Sequence, residues 1–415
     1  MFRFRSLILA ALVVLQGVSG RAQVQSAVHG TWTAELHNAQ VFLQVRTPPP
    51  PDGDRSGNAN TWNGGWNIGQ SFAVDELSGL PATNDQLTAS TVKFDLRREA
   101  GTLAFEGAFR DGRGAGLFTF VPRDAYLGEM KQLGFSDDLP LWRRFQLAVH
   151  NVGPRYIRDL KTEGYDKLTL DEIQRAKTHG VTIEYVKGIK AEGFKSASLE
   201  NLVRTRDHGV TQDYVKAMKA EGFTGTTLEE LVRTRDHGVT QQYVQKMKAA
   251  GFGNATVEDL VRARDHGVTP EFVVEMRGLG FTVSGLDQYI RLRDHGVKGD
   301  FVKEMKAAGY DRLSPEDIVR VRDHGVTALY VRDLAAQGFK NVPLEDIVRT
   351  KDHGVSADYI ADIKGLGLKD LTLQQIVKLR DHGVTPGFVN HAKARGFKPA
   401  DVDEIIRLKN GGLWR

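Results

Sequence analysis

A strict period of 29 residues constrains this chain more than any other feature of its sequence. Eight histidines recur at that interval, and each is followed by Gly-Val: His179, His208, His237, His266, His295, His324, His353 and His382. One period further upstream, His150 begins the divergent form His-Asn-Val. Self-similarity at a fixed period predicts an array of stacked supersecondary units.

Each unit is predicted to form two short helices. Ser198 is an N-cap residue, and apolar side chains such as Leu202 follow it at helical spacing. Gly209 can take the left-handed conformation that ends a helix, and Thr211 then caps the second helix. The second helix carries one aromatic residue per unit: Tyr126, Tyr156, Tyr185, Tyr214, Tyr243, Phe272, Phe301, Tyr330, Tyr359 and Phe388.

A unit of this size cannot bury its own apolar face, so consecutive units are expected to share one continuous core. We therefore predict an α-solenoid of about ten 29-residue helical hairpins over residues 122–415. The period is shorter than that of ankyrin or tetratricopeptide repeats, and the L-x-x-L-x-L strand of leucine-rich repeats is missing from the sequence.

The recurring core Arg-x-Arg-Asp-His-Gly-Val-Thr, as in residues 204–211, resembles helical repeats attached to some bacterial membrane sensor proteins of the BlaR1/M56 peptidase type. The resemblance covers about residues 122–415, and the preceding β segment also resembles what accompanies such repeats. Peptidases of that family carry an H-E-x-x-H zinc motif within the membrane. This motif does not occur in the sequence, so the resemblance implies the repeats without the peptidase activity.

Residues 24–121 follow a different pattern. Apolar residues alternate with other residues, as in Trp32-Thr33-Ala34-Glu35-Leu36 and Phe94-Asp95-Leu96, and loops rich in Gly, Asn and Pro separate these runs. Alternation of period two predicts half-buried strands. We expect five to eight strands in a small antiparallel sandwich or barrel, and thus an α+β protein of two domains.

The first 22 residues match a secretory signal peptide. Arg3 and Arg5 precede an apolar run from Leu7 to Leu15, and small residues follow as far as Ala22. We expect export to the periplasm or the extracellular space. A retained membrane anchor is the alternative, although the apolar run is shorter than the roughly 20 residues that span a bilayer. With the signal removed, no stable membrane span is expected.

Charge and cysteine content exclude several classes of function. The signal segment contributes three arginines and no acids, so its removal lowers the formal net charge from +4 to +1. A nearly neutral chain gives no compositional case for nucleic acid as a partner. The sequence has no cysteine, which excludes disulfides, thiolate metal sites, a cysteine nucleophile and a lipoprotein anchor.

Tryptophans mark the candidate ligand contacts of the β segment. Gly30-Thr31-Trp32 matches the short G-x-W motif of lipocalins, but a core tryptophan is the simpler interpretation. Trp62 and Trp66 fall in a Gly/Asn-rich stretch and are candidate contacts for a glycan or a partner. The alternative is that both residues cover one end of the β domain.

The Arg-Asp-His triplet of each repeat is the other candidate site. We predict an inter-repeat network that fixes the register between units, represented by Arg206, Asp207, His208, Arg235, Asp236, His237, Arg264, Asp265 and His266. Aspartate at the end of a helix is electrostatically unfavourable, so each one needs a compensating donor. The expected donors are an arginine of the neighbouring unit or the N–H groups that open the second helix.

Three chemical interpretations of the same triplet are less favoured. Histidines on successive packed helices are expected to lie too far apart to share a zinc ion. Hydrolytic catalysis needs one asymmetric pocket, whereas these residues repeat identically along the chain. A hairpin closed by Gly-Val superficially resembles the helix-hairpin-helix motif of nucleic-acid-binding proteins, which export and charge disfavour. No cofactor or metal is expected.

The sequence as a whole predicts an exported, non-enzymatic binding scaffold. Its partner is expected to be a protein or a polymer of the cell envelope, held along the extended surface of the repeats. The alternative is a small-molecule or glycan sensor, in which the β domain holds the ligand and the repeats transmit the signal.

Overall fold

A computed structural model of the chain describes residues 27–37, 40–48, 66–81, 90–365, 367–368, 370–397 and 401–411. The predicted signal peptide, residues 1–22, and the candidate ligand contact Trp62 lie outside these ranges. Contacts divide the chain into two compact units, Met1–Arg206 and Asp207–Arg415. The division falls within the repeat array, at the end of one of its helices.

Unit 1 begins with one antiparallel sheet curled into a half-barrel, as the predicted β domain requires. The described residues form seven strands in the spatial order β3-β2-β1-β7-β6-β5-β4, so the first and last long strands pair at the centre. The strands are β1 (Val28–His37), β2 (Gln40–Thr47), β3 (Trp66–Ala73), β4 (Leu77–Ser78), β5 (Ser90–Arg98), β6 (Gly101–Arg110) and β7 (Arg113–Pro122). A short 3₁₀ turn, Val74–Glu76, lies between β3 and β4.

Trp32 lies at the centre of the buried face of this sheet. Its indole Nε1 donates to the backbone oxygens of Glu106 and Leu117, each at 3.1 Å. The ring makes an edge contact with Phe94 at a centroid distance of 5.3 Å, and a Cβ added at Gly114 would come within 2.7 Å of the indole. Trp32 is therefore a core residue, because protein atoms occupy the space around its ring.

The described part of the chain also contains twenty helices of eight or nine residues, two per repeat, as the period predicts. The first helices are α2 (Leu141–Val149), α4 (Leu170–Thr178), α6 (Leu199–Asp207), α8 (Leu228–Asp236), α10 (Val257–Asp265), α12 (Leu286–Asp294), α14 (Pro315–Asp323), α16 (Leu344–Asp352), α18 (Leu373–Asp381) and α20 (Val402–Asn410). The second helices are α1 (Ala125–Gln132), α3 (Pro154–Thr162), α5 (Ile183–Ala191), α7 (Gln212–Ala220), α9 (Gln241–Ala249), α11 (Pro270–Gly278), α13 (Gly299–Ala307), α15 (Ala328–Ala336), α17 (Ala357–Gly365) and α19 (Pro386–Ala394).

Local chemistry explains where these helices begin and end. The Thr227 hydroxyl accepts the backbone N–H of Glu230, and the Glu230 side chain returns to the Thr227 N–H, which is a capping box. At the other end of α8, Gly238 has a φ of +68°, and Val239 N donates to Thr234 O at 2.8 Å. This left-handed glycine closure turns the chain into α9.

Stacking supplies the core that single repeats lack. In unit 2, α10 packs against α8 and α12, and α11 packs against α9 and α13. Leu231, Val232, Tyr243, Val244 and Met247 of one repeat are all buried. In unit 1, α2 packs on the sheet instead, where the rings of Phe145 and Phe118 stack at 5.7 Å. The sheet and α2 thus share one core.

Candidate functional site

Histidines of six consecutive repeats in unit 2, from His208 to His353, each reach the aspartate of the next repeat. Six such pairs join Nδ1 to Oδ1 at 2.5–2.8 Å: His208–Asp236, His237–Asp265, His266–Asp294, His295–Asp323, His324–Asp352 and His353–Asp381. An ionised carboxylate only accepts hydrogen bonds, so Nδ1 carries the proton in every pair. The donor that compensates each aspartate is therefore a histidine, where the sequence suggested an arginine or backbone N–H groups.

The arginine of the triplet makes a separate inter-repeat contact. Its guanidinium lies over the aromatic ring of the preceding repeat, at 5.4 Å for Arg206 on Tyr185, 5.1 Å for Arg235 on Tyr214 and 5.3 Å for Arg264 on Tyr243. Arginines stack in this way because the ring face is electron-rich. Asp207 is the last residue of α6. Eight of the nine predicted network residues, all except Asp207, thus make the inter-repeat contacts described here, and arginine and aspartate have different partners.

Tyrosine hydroxyls form a third column of contacts, which the sequence did not predict. The hydroxyl of Tyr214 donates to Val239 O at 2.8 Å, and that of Tyr243 donates to Val268 O at 2.9 Å. Burial raises the pKa of Tyr243 to about 12, so this hydroxyl keeps its proton at neutral pH. The signal in the sequence was the preference for Tyr over Phe at a buried position, because a buried hydroxyl needs an acceptor.

Lysines near the ends of the second helices form a fourth column. Lys248 Nζ donates to Glu221 O and Lys306 Nζ donates to Leu279 O, each at 2.6 Å. Both acceptors lie at the C-terminal end of the preceding second helix, where the carbonyl groups lack helical partners and the dipole favours a cation. Ala335 occupies this column in α15, so that junction lacks the contact.

Many charges on the outer face of the first helices are paired between repeats. A basic residue of one first helix meets an acidic residue of the next, as in Arg291–Glu316 at 2.8 Å, Arg320–Glu345 at 2.6 Å and Lys378–Asp403 at 2.6 Å. These side chains are largely exposed, so each pair adds little stability. Their effect on recognition is larger, because a partner would have to compete with existing contacts.

The second helices present a more varied surface. Val274 of α11 and Leu329 of α15 are large apolar side chains with exposures of 59% and 61%. In unit 2, a cavity of about 470 Å³ lies between α15 and the start of α17. Its lining includes Tyr330, Asp333, Ala336, Lys351, Gly354 and Asp358. This cavity brings two carboxylates and one ammonium group together at a single junction.

Two kinds of site are not found in the described ranges. No group of three or more His, Asp or Glu side chains there is placed to hold a metal ion. Among the described helices, none has both the length and the apolar character needed to cross a membrane.

Trp66 lies at the start of β3, not in a loop, and its ring packs on α2. Ring centroids lie 5.6 Å from Trp142, 5.3 Å from Phe145 and 6.1 Å from His150. These contacts favour the alternative interpretation, in which the tryptophan covers the end of the β domain.

His150 lies in the same environment as Trp66. Burial first, and then the charge of Arg143, lowers the pKa of His150 from 6.5 to about 4.

Comparison of the chain with models of known protein families and with curated protein sequences finds no match.

The His–Asp column leads to a prediction about stability. We expect Asp265→Asn to lower the free energy of unfolding by about 0.5–1 kcal/mol, because the charge-assisted contact with His237 is weakened. The control is Asp362→Asn, the same change at an exposed mid-helix aspartate of α17. Urea denaturation at neutral pH provides the measurement. Equal losses in the two variants would show that the pair contributes nothing specific.

His150 leads to a prediction about pH. Its lowered pKa means that the unfolded chain binds a proton more readily than the folded chain between pH 6.5 and pH 4. The contribution of His150 to the free energy of unfolding is therefore fully present above pH 6.5 and is lost as the pH falls toward 4. Relative to His150→Gln, the wild type should lose about 2 kcal/mol between pH 7 and pH 5. Parallel pH profiles of unfolding free energy for the two proteins would contradict the assignment.

Proposed function

We propose that this chain is a non-enzymatic, exported scaffold that binds a partner along the exposed face of its second helices. The partner is a protein or a polymer of the cell envelope. The observation that carries the proposal is the difference between the two helix faces. Charges pair between repeats on both sets of helices, as in Arg320–Glu345 and Lys246–Glu271, but the large apolar side chains that the described helices expose, Val274 and Leu329, lie on second helices.

Physical reasoning connects this difference with recognition. A partner that docks on paired charges must desolvate them without forming better contacts, which contributes little affinity. Exposed apolar side chains and a cavity give a partner surface to bury. The repeated, nearly identical junctions also disfavour an enzyme, because catalysis needs one asymmetric constellation of groups. We propose that any relationship to BlaR1/M56-type sensors concerns their repeats alone.

The alternative function, a small-molecule or glycan sensor with the β domain as ligand site, has weaker support. The rings of Trp32 and Trp66 are engaged with protein groups, Trp32 in the core of the sheet and Trp66 against α2. Trp32 is buried, and edge contacts with Trp142 and Phe145 occupy part of the Trp66 ring.

Site-specific photo-crosslinking on the full chain tests the proposal. A benzophenone amino acid replaces Gln242 or Val274 on second helices, or Glu229 on a first helix as a matched control; all three positions are exposed. We expect the two second-helix positions to capture the same envelope component in cells, and the first-helix position to capture none. Equal capture from both faces, or capture only from Glu229, would refute the proposed binding face.

A further inference from the structure

The first histidine of the column differs from the later ones in its hydrogen-bond partner. From His208 to His353, each side chain is 36–41% exposed and meets an aspartate of the next repeat. His150 has Thr178 in the aspartate position, and its Nδ1 lies 3.1 Å from the Thr178 hydroxyl. That hydroxyl donates its one proton to Gln174 O at 2.9 Å, so it accepts from His150 Nδ1. The acceptor of His150 is therefore a neutral hydroxyl and not a carboxylate.

His150 also differs in its surroundings, because it lies where the sheet meets the helices. Its ring centroid is 6.1 Å from that of Trp66 at the start of β3, and its partner Thr178 is the last residue of α4. Burial deprives an imidazolium at this place of water, and the guanidinium of Arg143 on α2 carries the same charge. A proton added to His150 thus meets a like charge, whereas a proton added to His208 meets a carboxylate.

Acids on the elements around His150 already have partners. Asp171 of α4 forms an ion pair with Arg143, and 80% of the Asp171 side chain is exposed, so solvent screens it. Glu99 lies in the turn between β5 and β6, and its carboxylate accepts the backbone N–H of Arg155 at 3.2 Å. Neither carboxylate is hydrogen-bonded to the His150 ring, so neither replaces the aspartate that the column lacks here.

Two further cations of α4 contact other residues. Arg175 Nη2 lies 2.8 Å from Glu200 Oε1, and Lys177 Nζ lies over the Tyr156 ring at 4.4 Å from the centroid. Among the described residues, Arg143 is thus the charged group that acts on the His150 ring.

We propose that the junction between the sheet and the first repeats is an acid-sensitive switch, in which protonation of His150 releases α2 from the sheet. In the open state, water solvates the imidazolium and separates it from the Arg143 guanidinium. The later junctions stay closed, because protonation there converts a His–Asp hydrogen bond into an ion pair. The inference goes beyond the proposed function, since it concerns control of this junction and not the binding face.

Hydrogen exchange of the full chain at pH 7 and pH 5, with rates corrected for the intrinsic effect of pH, tests the switch. The open state binds a proton below pH 6.5 and the closed state only near pH 4, so acid favours opening. For the amides of α2, the opening equilibrium constant should rise about 20-fold between pH 7 and pH 5. For the amides of α9, in the middle of the array, it should change less than about 3-fold.

Three variants assign the effect to His150. Thr178→Asp gives this junction the aspartate that other repeats have, and it should remove the rise, because a carboxylate stabilises the imidazolium. Thr178 is exposed, so the new side chain has room, and an unchanged circular dichroism spectrum at pH 7 would show that the variant folds. His150→Gln should also remove the rise. His237→Gln, the same change at a His–Asp junction, should keep the rise of the wild type in α2.

Three results would overturn the proposal. Equal loss of protection in α2 and α9 would show that acid unfolds the whole chain and opens no local junction. A rise in Thr178→Asp as large as that of the wild type would show that the partner of His150 does not matter. A rise that persists in His150→Gln would assign the acid response to another group.

Discussion

The contact between neighbouring repeats is the interaction on which this structure depends. Helices of eight or nine residues are too short to be stable alone in water, where marginal stability takes about 12–15 residues. Each hairpin buries residues such as Tyr243 and Met247 only because another hairpin packs against it. The polar contacts follow the same rule, since the His–Asp, arginine–ring, tyrosine–carbonyl and lysine–carbonyl columns all join one repeat to the next.

These columns also explain why some positions of the helices are nearly constant between repeats and others vary. The ends of both helices are electrostatically satisfied by the adjacent repeat: His237 meets Asp265 at the end of a first helix, and Lys248 meets Glu221 O at the end of a second helix. A substitution in one of these columns removes a contact between two neighbouring repeats. The outward positions of the second helices differ more from repeat to repeat, and only some of them form ion pairs such as Lys246–Glu271. Their variation, from Lys303 to Ala361 at equivalent positions, is what distinguishes one junction from another.

The sequence predicts the local structure well because caps, glycines and apolar periodicity act over a few residues. Thr227 and Gly238 define the two ends of α8, and both can be identified without knowing what packs against the helix. Contacts across a junction are harder to predict, because they depend on how one hairpin is rotated on the next. For that reason the histidine partner of Asp265 and the tyrosine–valine contacts were missed, and so was the packing of Trp66 on α2. The cavity beside Asp333 was missed because it depends on how α15 packs against the start of α17, which the repeat pattern alone does not give.

Deletion of whole and partial repeats tests the central claim that register between units maintains the fold. Removing residues 227–255 deletes one complete period and joins Thr226 to Thr256, so every column finds an equivalent partner. Circular dichroism during heating should then show unchanged helicity per residue and one cooperative transition close to that of the full chain. Removing only residues 227–240 deletes a single helix and its turn. The loss of helicity should then exceed that of the deleted residues, because the neighbouring repeats lose their register. Equal thermal stability of the two deletions would contradict the account.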